Sequence, residues 1–308
     1  MRRLRTAALA LLGAGLAGIA PACAASPNVI VSIKPVHSLV AGVMAGVAEP
    51  DLLLDGAASE HSVAMRPSQA SALAKADLIF WIGPQLETFL IRPLESISAS
   101  AVSVPLSQSA GVRLLPVRQA GDLTMSQAPE TPAVMDMHIW LDPENAVALV
   151  AEISARLQAR DAVNAAIYAR NAQALTVRLQ ASGQQIAARL RAAPPAPYMV
   201  FHDAYHYFEA RFGIQPVAAI SADPERLPGA GRIRALRTLI IDAGVVCAFA
   251  EPQFEPRMIG TVIENSPARA AVLDPLGAAI EAGPDMYFQL LDQITDGLTQ
   301  CSGKQGAQ

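Results

Sequence analysis

Short apolar runs and helix-like stretches alternate along the first third of the chain. The β-branched run "NVIVSI" at residues 28–33 indicates a strand, and residues 36–44 follow with a helix-like pattern. Residues 51–54 indicate a second strand, residues 68–75 a helix that begins at a Pro-Ser signal, and "ADLIFWIG" at residues 76–83 a buried strand. This alternation predicts a parallel sheet with helices on both faces.

A long helix is predicted in the middle of the chain. Residues 143–160 carry apolar side chains at helical spacing, and Pro143 suits a first helical turn. Residues 161–192 contain no proline, so they fit a helix of about 30 residues that is roughly 45 Å long. Prolines within residues 194–197 end this stretch. Such a helix would be a rigid strut between two lobes.

The strand–helix alternation resumes after these prolines. Strand-like runs lie at residues 198–201, 217–220, 245–250 and 270–274. The predicted fold is therefore α/β, with two lobes that each contain a parallel β-sheet flanked by helices, joined by a long backbone helix. The predicted division is an N-terminal lobe at 26–160, a linking helix at 161–193 and a C-terminal lobe at 194–308.

The first 25 residues have the composition of a secretory signal peptide. A cluster of arginines opens the chain, residues 7–20 form a run of small and apolar residues, and Ala22-Cys23-Ala24 matches a small-x-small cleavage pattern. The run is too short for a membrane span. An exported mature chain is expected, and a lipoprotein site at Cys23 is the alternative.

Charge excludes one class of partner. The whole chain has a net charge of −4, and loss of the arginines at positions 2, 3 and 5 makes it about −7. An acidic chain without a clustered basic face does not suit nucleic acid.

Cysteine usage also fits export. Once Cys23 leaves with the leader, Cys247 and Cys301 remain. An isolated pair of cysteines in an oxidising compartment predicts a disulfide between them. Two unpaired buried thiols are the alternative.

Three of the five histidines share a kind of position. His61 follows a predicted strand and a short loop, His138 ends a long aperiodic stretch, and His202 comes directly after the strand at 198–201. Ligands gather beyond the carboxyl ends of strands in open parallel sheets. Three imidazoles there, with Glu60 beside one of them, suit a tetrahedral zinc site. The structural alternative is that each histidine caps a helix or satisfies a backbone group.

The remaining two histidines have weaker functional interpretations. His202 and His206 lie four residues apart, on one face if helical. Helical His pairs at this spacing bind zinc in metalloproteases, but there a glutamate follows the first histidine, and this chain has Asp203. We therefore interpret His206 as a neighbour of the site or a surface residue. His37 follows the first strand and is interpreted as structural.

Several stretches together resemble one known family and cover nearly the whole mature chain in order. They are "SIKPVHSLVAGVM", "GAASEHSVAMRPSQASALAKADLIFWIGPQLETFL", "HIWLDPENA", "FHDAYHYFE", "PGAGRIRALRTLI", "VVCAFAEPQFEP" and "LDPLG". The chain resembles the zinc-specific periplasmic solute-binding proteins of ABC importers, the ZnuA type. The resemblance implies a monomeric, non-enzymatic protein of the periplasm. Such a protein captures Zn²⁺ between two lobes and delivers it to a membrane permease driven by a separate ATPase.

The resemblance also implies a ligand set. The family's three zinc-binding histidines fall on His61, His138 and His202. The fourth position in relatives is water, a glutamate that falls here on Glu60, or an aspartate that falls on Asp274, and Glu60 is slightly favoured. Because only neutral imidazoles bind zinc, affinity is expected to fall as pH drops through the histidine range near 6 to 7.

One departure from the family concerns the aperiodic stretch at residues 111–137, which is predicted to be a long loop. Many zinc-specific relatives carry a His-rich loop here, whereas this stretch contains no histidine, so an auxiliary metal-capturing role is doubtful.

Two other functions stay open from the sequence. One is a manganese or iron binder on the same fold, and the other is a secreted zinc-dependent hydrolase with an open metal position.

Overall fold

The structure is a computed structural model of the chain. It describes residues 26–56, 58–61, 64–97, 101–118, 134–221, 224–255 and 257–302. The expected signal peptide at 1–25 lies outside the described residues.

The N-terminal lobe contains a four-stranded, fully parallel sheet with the order β2-β1-β3-β4. Its strands are β1 (Val29–Val31), β2 (Asp51–Leu52), β3 (Leu78–Trp81) and β4 (Val102–Pro105). Its helices are α1 (Lys34–Met44), α2 (Pro67–Leu73) and α3 (Ile91–Ile97). Strands β1 and β3 are buried along their whole length, as expected for a sheet covered on both faces.

The expected loop at residues 111–137 contains regular structure at its two ends. Strand β5 (Leu115–Pro116) pairs antiparallel with β6 (Met135–Asp136). Strands of two residues are too short to produce a period-two pattern, which is why the sequence did not indicate them. This hairpin lies directly before His138.

Two helices follow the hairpin. Helix α4 (Pro143–Arg160) begins at Asp142, whose carboxylate accepts the backbone N–H of Glu144 and so caps the helix. Helix α5 (Ala165–Ala192) is the predicted long backbone helix and packs along α4 and α1.

The C-terminal lobe repeats the parallel arrangement with the strand order β10-β9-β7-β8. Its strands are β7 (Tyr198–Val200), β8 (Ala218–Ala219), β9 (Cys247–Ala250) and β10 (Arg269–Val272). Its helices are α6 (His206–Phe212), α7 (Ala230–Asp242), α8 (Arg257–Ile263) and α9 (Met286–Ser302). The two-lobed α/β fold is therefore confirmed, while the lobe boundaries at 160 and 194 stay predictions.

The two lobes share one hydrophobic core. A single cluster of buried side chains includes residues of both large sheets and of α1, α4, α5 and α9. Within it, the indole N–H of Trp140 donates to the carbonyl of Pro275 at 2.8 Å. The hydroxyl of Tyr287 donates to the carbonyl of Trp140 at 2.6 Å. The last helix of the chain is thus fixed to the segment that carries His138.

A buried lysine joins the lobes near the cleft. The ammonium of Lys34 donates to the carbonyl oxygens of Ala278 and Ile280, both at 2.9 Å. It also lies 3.0 Å from the carboxylate of Asp55, in the loop that leads to Glu60. Because the ammonium of Lys34 contacts both Asp55 and the segment at Ala278 and Ile280, it holds the loop after β2 against the C-terminal lobe.

The Cys247–Cys301 disulfide is present, with a sequence separation of 54 residues. It ties the end of α9 to β9. Replacing both cysteines by alanine should lower the free energy of unfolding by about 4 kcal/mol, the loop-entropy value for a loop of this length. Urea denaturation of the double variant measures the loss.

Reduced wild-type protein is the control and should show a similar loss. Equal unfolding midpoints for the oxidised wild type and the double variant would contradict this prediction.

Candidate metal centre

Glu60 and His61 lie in the loop after β2, and the carboxylate of Glu60 is buried there. The side chain of His61 is 25% exposed. The hydroxyl of Ser59 accepts the backbone N–H of His61 and donates to the carboxylate of Glu225 at 2.9 Å. This last bond crosses to the C-terminal lobe, so both lobes hold the loop.

His138 stands between β6 and a short 3₁₀ turn at Ile139–Leu141, and its side chain is buried. Its Nδ1 lies 2.7 Å from Oδ1 of Asp136. The same oxygen accepts the backbone N–H of His138 at 3.0 Å. A carboxylate acceptor places the hydrogen of the neutral imidazole on Nδ1 and leaves the lone pair on Nε2.

His202 follows β7, and Glu251 follows the adjacent parallel strand β9. Because the carboxyl ends of neighbouring parallel strands meet at one edge, these two side chains lie together. Nδ1 of His202 lies 2.8 Å from Oε1 of Glu251. His202 is therefore oriented in the same way as His138, with its Nε2 lone pair directed away from the carboxylate.

The three imidazoles predicted from the sequence converge on one point. Their ring centroids lie 5.2 to 5.7 Å apart, and one ring nitrogen from each lies within 4.8 Å of the others. Nε2 of His138 and Nε2 of His202 are 3.3 Å apart. Four donors at about 2.0–2.1 Å around one zinc ion stand roughly 3.3–3.4 Å apart, so the imidazoles have nearly the required spacing.

The carboxylate of Glu60 lies beside the three-histidine cluster. Its Oε1 lies 3.8 Å from Nε2 of His61 and 3.8 Å from Nε2 of His138. Oε1 of Glu60 and Nε2 of His61 are both buried and have no hydrogen-bond partner among the described residues. The Nε2 atoms of the three histidines and one carboxylate oxygen of Glu60 therefore lie close together. A bound cation or proton stabilises acceptors at these distances.

The electrostatics of the site fit this interpretation. Burial, helped by the neighbouring His138 and His202, lowers the pKa of His61 to about 3. Burial opposes charging of His138, but the Asp136 carboxylate outweighs it and raises the pKa of His138 to about 8. Burial raises the pKa of Glu60, although the nearby histidines oppose this. The site therefore retains a proton near neutral pH unless another cation takes its place.

Asp274 is engaged elsewhere. Its Oδ1 accepts the side-chain amide of Gln253 at 2.8 Å and the backbone N–H of Leu276 at 2.9 Å. Its Oδ2 accepts the backbone N–H of Ala278 at 2.5 Å. These bonds fix the loop after β10, whereas Oε1 of Glu60 has no hydrogen-bond partner among the described residues.

The other two histidines lie outside the cluster. His37 is buried on α1, and its Nε2 lies 2.9 Å from the carbonyl of Pro50, which agrees with a structural role. His206 is the first residue of α6, and its Nδ1 lies 3.6 Å from Oδ2 of Asp136.

Sequence reasoning missed a buried ionic network next to His202. The guanidinium of Arg118 donates to Asp203, with Nε 2.8 Å from Oδ2, and to Oε2 of Glu209 at 2.6 Å. The hydroxyl of Tyr198 donates to the other oxygen of Glu209 at 2.9 Å. Burial raises the pKa of Glu209 to about 7. Through this network the hairpin before His138 is fixed to the segment after His202.

The family model and the curated relatives of this chain point to one family. Residues 29–301 match the family described as "Zinc-uptake complex component A periplasmic". The "High-affinity zinc uptake system protein ZnuA" of Brucella suis biovar 1 is 38% identical over an alignment 328 residues long. The alignment covers 96% of this chain and 98% of that protein. The Yersinia pestis protein of the same name is 33% identical over 312 residues, covering 95% and 96%. A solved structure described as "Crystal structure of ZnuA" has a TM-score of 0.78 at 21% identity, covering 90% of this chain and all of that one, and shows the same fold.

Replacing Arg118 by methionine should destabilise the protein by about 3–5 kcal/mol, because Asp203 and Glu209 would lose their buried counter-charge. The loss should be smaller at pH 5 than at pH 8. A Glu209 whose folded pKa lies above its unfolded value binds a proton more readily in the folded state, so stability falls as pH rises. Urea denaturation at both pH values measures this difference.

The matched control is Arg156→Met. Arg156 pairs with Glu152 on the exposed face of α4, so its loss should cost less than about 1 kcal/mol. The interpretation of Arg118 fails if the two variants are destabilised equally.

Proposed function

The chain belongs to the ZnuA family of periplasmic zinc-uptake components, and from this premise we propose that it captures Zn²⁺ in the cleft between its lobes and delivers it to an ABC importer. The partners are the importer's membrane permease and the ATPase that drives it. The protein performs no catalysis in this role, in keeping with relatives that are named as zinc-uptake proteins.

The observation that carries this proposal is the convergence of Nε2 atoms. The carboxylates of Asp136 and Glu251 hold the Nδ1 hydrogens of His138 and His202, so both Nε2 lone pairs point into the same small volume. A cation at the centre of this volume relieves the repulsion between the lone pairs. The cation is the cargo of the protein.

We propose His61, His138, His202 and Glu60 as the four ligands. Three neutral imidazoles and one carboxylate form a borderline-soft donor set, which suits zinc better than manganese. The alternative of a manganese or iron binder is less favoured, because Mn²⁺ prefers oxygen donors and Fe²⁺ binds a given set of nitrogen ligands more weakly than the later first-row metals do. A secreted zinc hydrolase would need a further base beside an open metal position, and Glu60 is assigned here to the metal.

The chain is proposed to be an exported monomer. All the proposed ligands come from one chain, so one copy is sufficient to hold one ion. None of the helices that the structure describes is long and apolar enough to cross a membrane. The signal peptide at 1–25 and the division into lobes at 26–160 and 194–308 with a linking helix at 161–193 are parts of the same proposal.

Metal analysis of protein purified without chelator tests the function directly. We expect one zinc per chain, retained in competition with excess manganese. Preference for manganese would support the alternative binder, and failure to bind either ion would refute the transport role.

Replacing His138 by alanine should weaken zinc binding by more than about 100-fold. Loss of a residue that orients a ligand already costs about 10- to 100-fold, and loss of the ligand itself costs more. Competition with a fluorescent zinc chelator measures the change. The matched control is His37→Gln, since His37 is a buried histidine outside the cluster, and it should bind zinc like the wild type.

Zinc affinity should depend on pH over a higher range than the sequence suggested. Because the pKa of His138 is raised to about 8, a proton must leave when zinc binds near neutral pH. Affinity should fall about tenfold per pH unit below pH 8 for each proton displaced. Isothermal titration calorimetry in buffers of different ionisation enthalpy counts the released protons, and a count of zero at pH 7 would contradict the prediction.

A further inference from the structure

Asp136 has one carboxylate oxygen that His138 does not use. Oδ1 accepts both the backbone N–H and the Nδ1–H of His138, at 3.0 and 2.7 Å. Oδ2 is buried and has no hydrogen-bond partner within the described part of the chain. An unpaired buried carboxylate oxygen is unfavourable, so the group that faces Oδ2 affects how firmly the carboxylate is held.

That group is His206. Its Nδ1 lies 3.6 Å from Oδ2 of Asp136, and this nitrogen is also buried without a hydrogen-bond partner among the described residues. A closer approach of roughly half an ångström gives an ordinary N–H···O bond. Two complementary polar atoms, each without another partner, therefore face one another.

The neighbouring residue fixes this approach. The hydroxyl of Tyr207 donates to the backbone carbonyl of Asp136 at 2.6 Å and accepts the backbone N–H of Leu115 at 2.9 Å. Tyr207 is fully buried and lies on α6 next to His206. The first turn of α6 is thus anchored to both strands of the hairpin, and His206 is held opposite Asp136.

His206 is not part of the group of three histidines whose ring nitrogens lie within 4.8 Å of one another. Among the described residues that group consists of His61, His138 and His202. Any influence of His206 on the metal must therefore pass through Asp136 and the imidazole of His138.

We propose that His206 is a positioning residue for zinc binding, which holds the Asp136 carboxylate so that the carboxylate in turn directs Nε2 of His138 at the metal. This inference rests on the proposed function, because it assigns a role in the same site. It explains why the chain carries a histidine at this position although it is not a proposed ligand.

The physical consequence is a restriction on rotation. A carboxylate bonded through one oxygen can rotate about its Cβ–Cγ bond, and the imidazole bonded to it can follow. A second bond, through Oδ2, fixes the carboxylate plane and with it the direction of the His138 ring. Loss of residues that orient ligands typically costs about 10- to 100-fold in metal affinity. Because His206 acts one step further away, we expect about three- to tenfold.

The test compares His206→Phe with His206→Asn. Phenylalanine keeps the ring but has no donor, whereas the amide nitrogen of asparagine is as many bonds from Cα as Nδ1 of histidine. Zinc affinity by chelator competition should fall about three- to tenfold in the phenylalanine variant and be restored to near the wild-type value in the asparagine variant. The visible spectrum of bound Co²⁺ should change only in the phenylalanine variant.

A double-mutant cycle with Asp136→Asn tests the route. If His206 acts through Asp136, His206→Phe should have little further effect on zinc affinity in the Asp136→Asn background. An equal effect in both backgrounds would overturn the proposal, as would unchanged affinity and an unchanged Co²⁺ spectrum in the single variant.

A stability measurement and a second variant keep the outcome unambiguous. Thermal unfolding of the metal-free variants reports whether a loss of affinity reflects a damaged fold, and His206→Leu replaces the phenylalanine variant if that protein does not fold. Wild-type protein that binds no zinc would refute the transport function. Wild-type protein that binds zinc no better than His206→Phe would refute only the positioning role.

Discussion

The site depends on the direction of imidazole lone pairs. A neutral histidine has one ring nitrogen that donates and one that accepts, and the acceptor can serve a metal only if the donor is satisfied elsewhere. Asp136 and Glu251 satisfy the donors of His138 and His202. Each carboxylate therefore acts by fixing which nitrogen is free and where it points. The energetic cost is a cluster of acceptors that repel one another until a cation joins them.

The histidines and Glu60 must be held in place against this repulsion. The hydrophobic cluster that extends through both lobes holds them. Trp140 and Tyr287 join the segment after His138 to the last helix, while Lys34 joins the first helix to the loop after β10. Since closely packed interiors resist deformation, these contacts outside the histidine cluster keep the histidines of the two lobes near one another. The loop of Glu60 and His61 is held by the bond from Ser59 to Glu225 and by the ion pair of Lys34 with Asp55.

Much of the fold and the three histidines could be predicted from the sequence, because the information is local. The buried run at β3 and the helical spacing of α4 depend on neighbouring residues, and so does the position of each histidine after a strand. That the three histidines meet is not local information, because β2, β6 and β7 belong to three different sheets. The family resemblance then selected the same three histidines. The partners of these residues could not be predicted in this way. Arg118 and Glu251 gain their roles only from residues brought together by the tertiary fold, so no periodicity or spacing indicates them.

The carboxylate that orients His202 lies 49 residues later in the chain. A ribosome makes His61 and His138 long before Glu251, so an unfinished polypeptide has imidazoles but lacks the frame and the partner that direct them. Tight metal capture thus has to wait until most of the protein has been synthesised and folded.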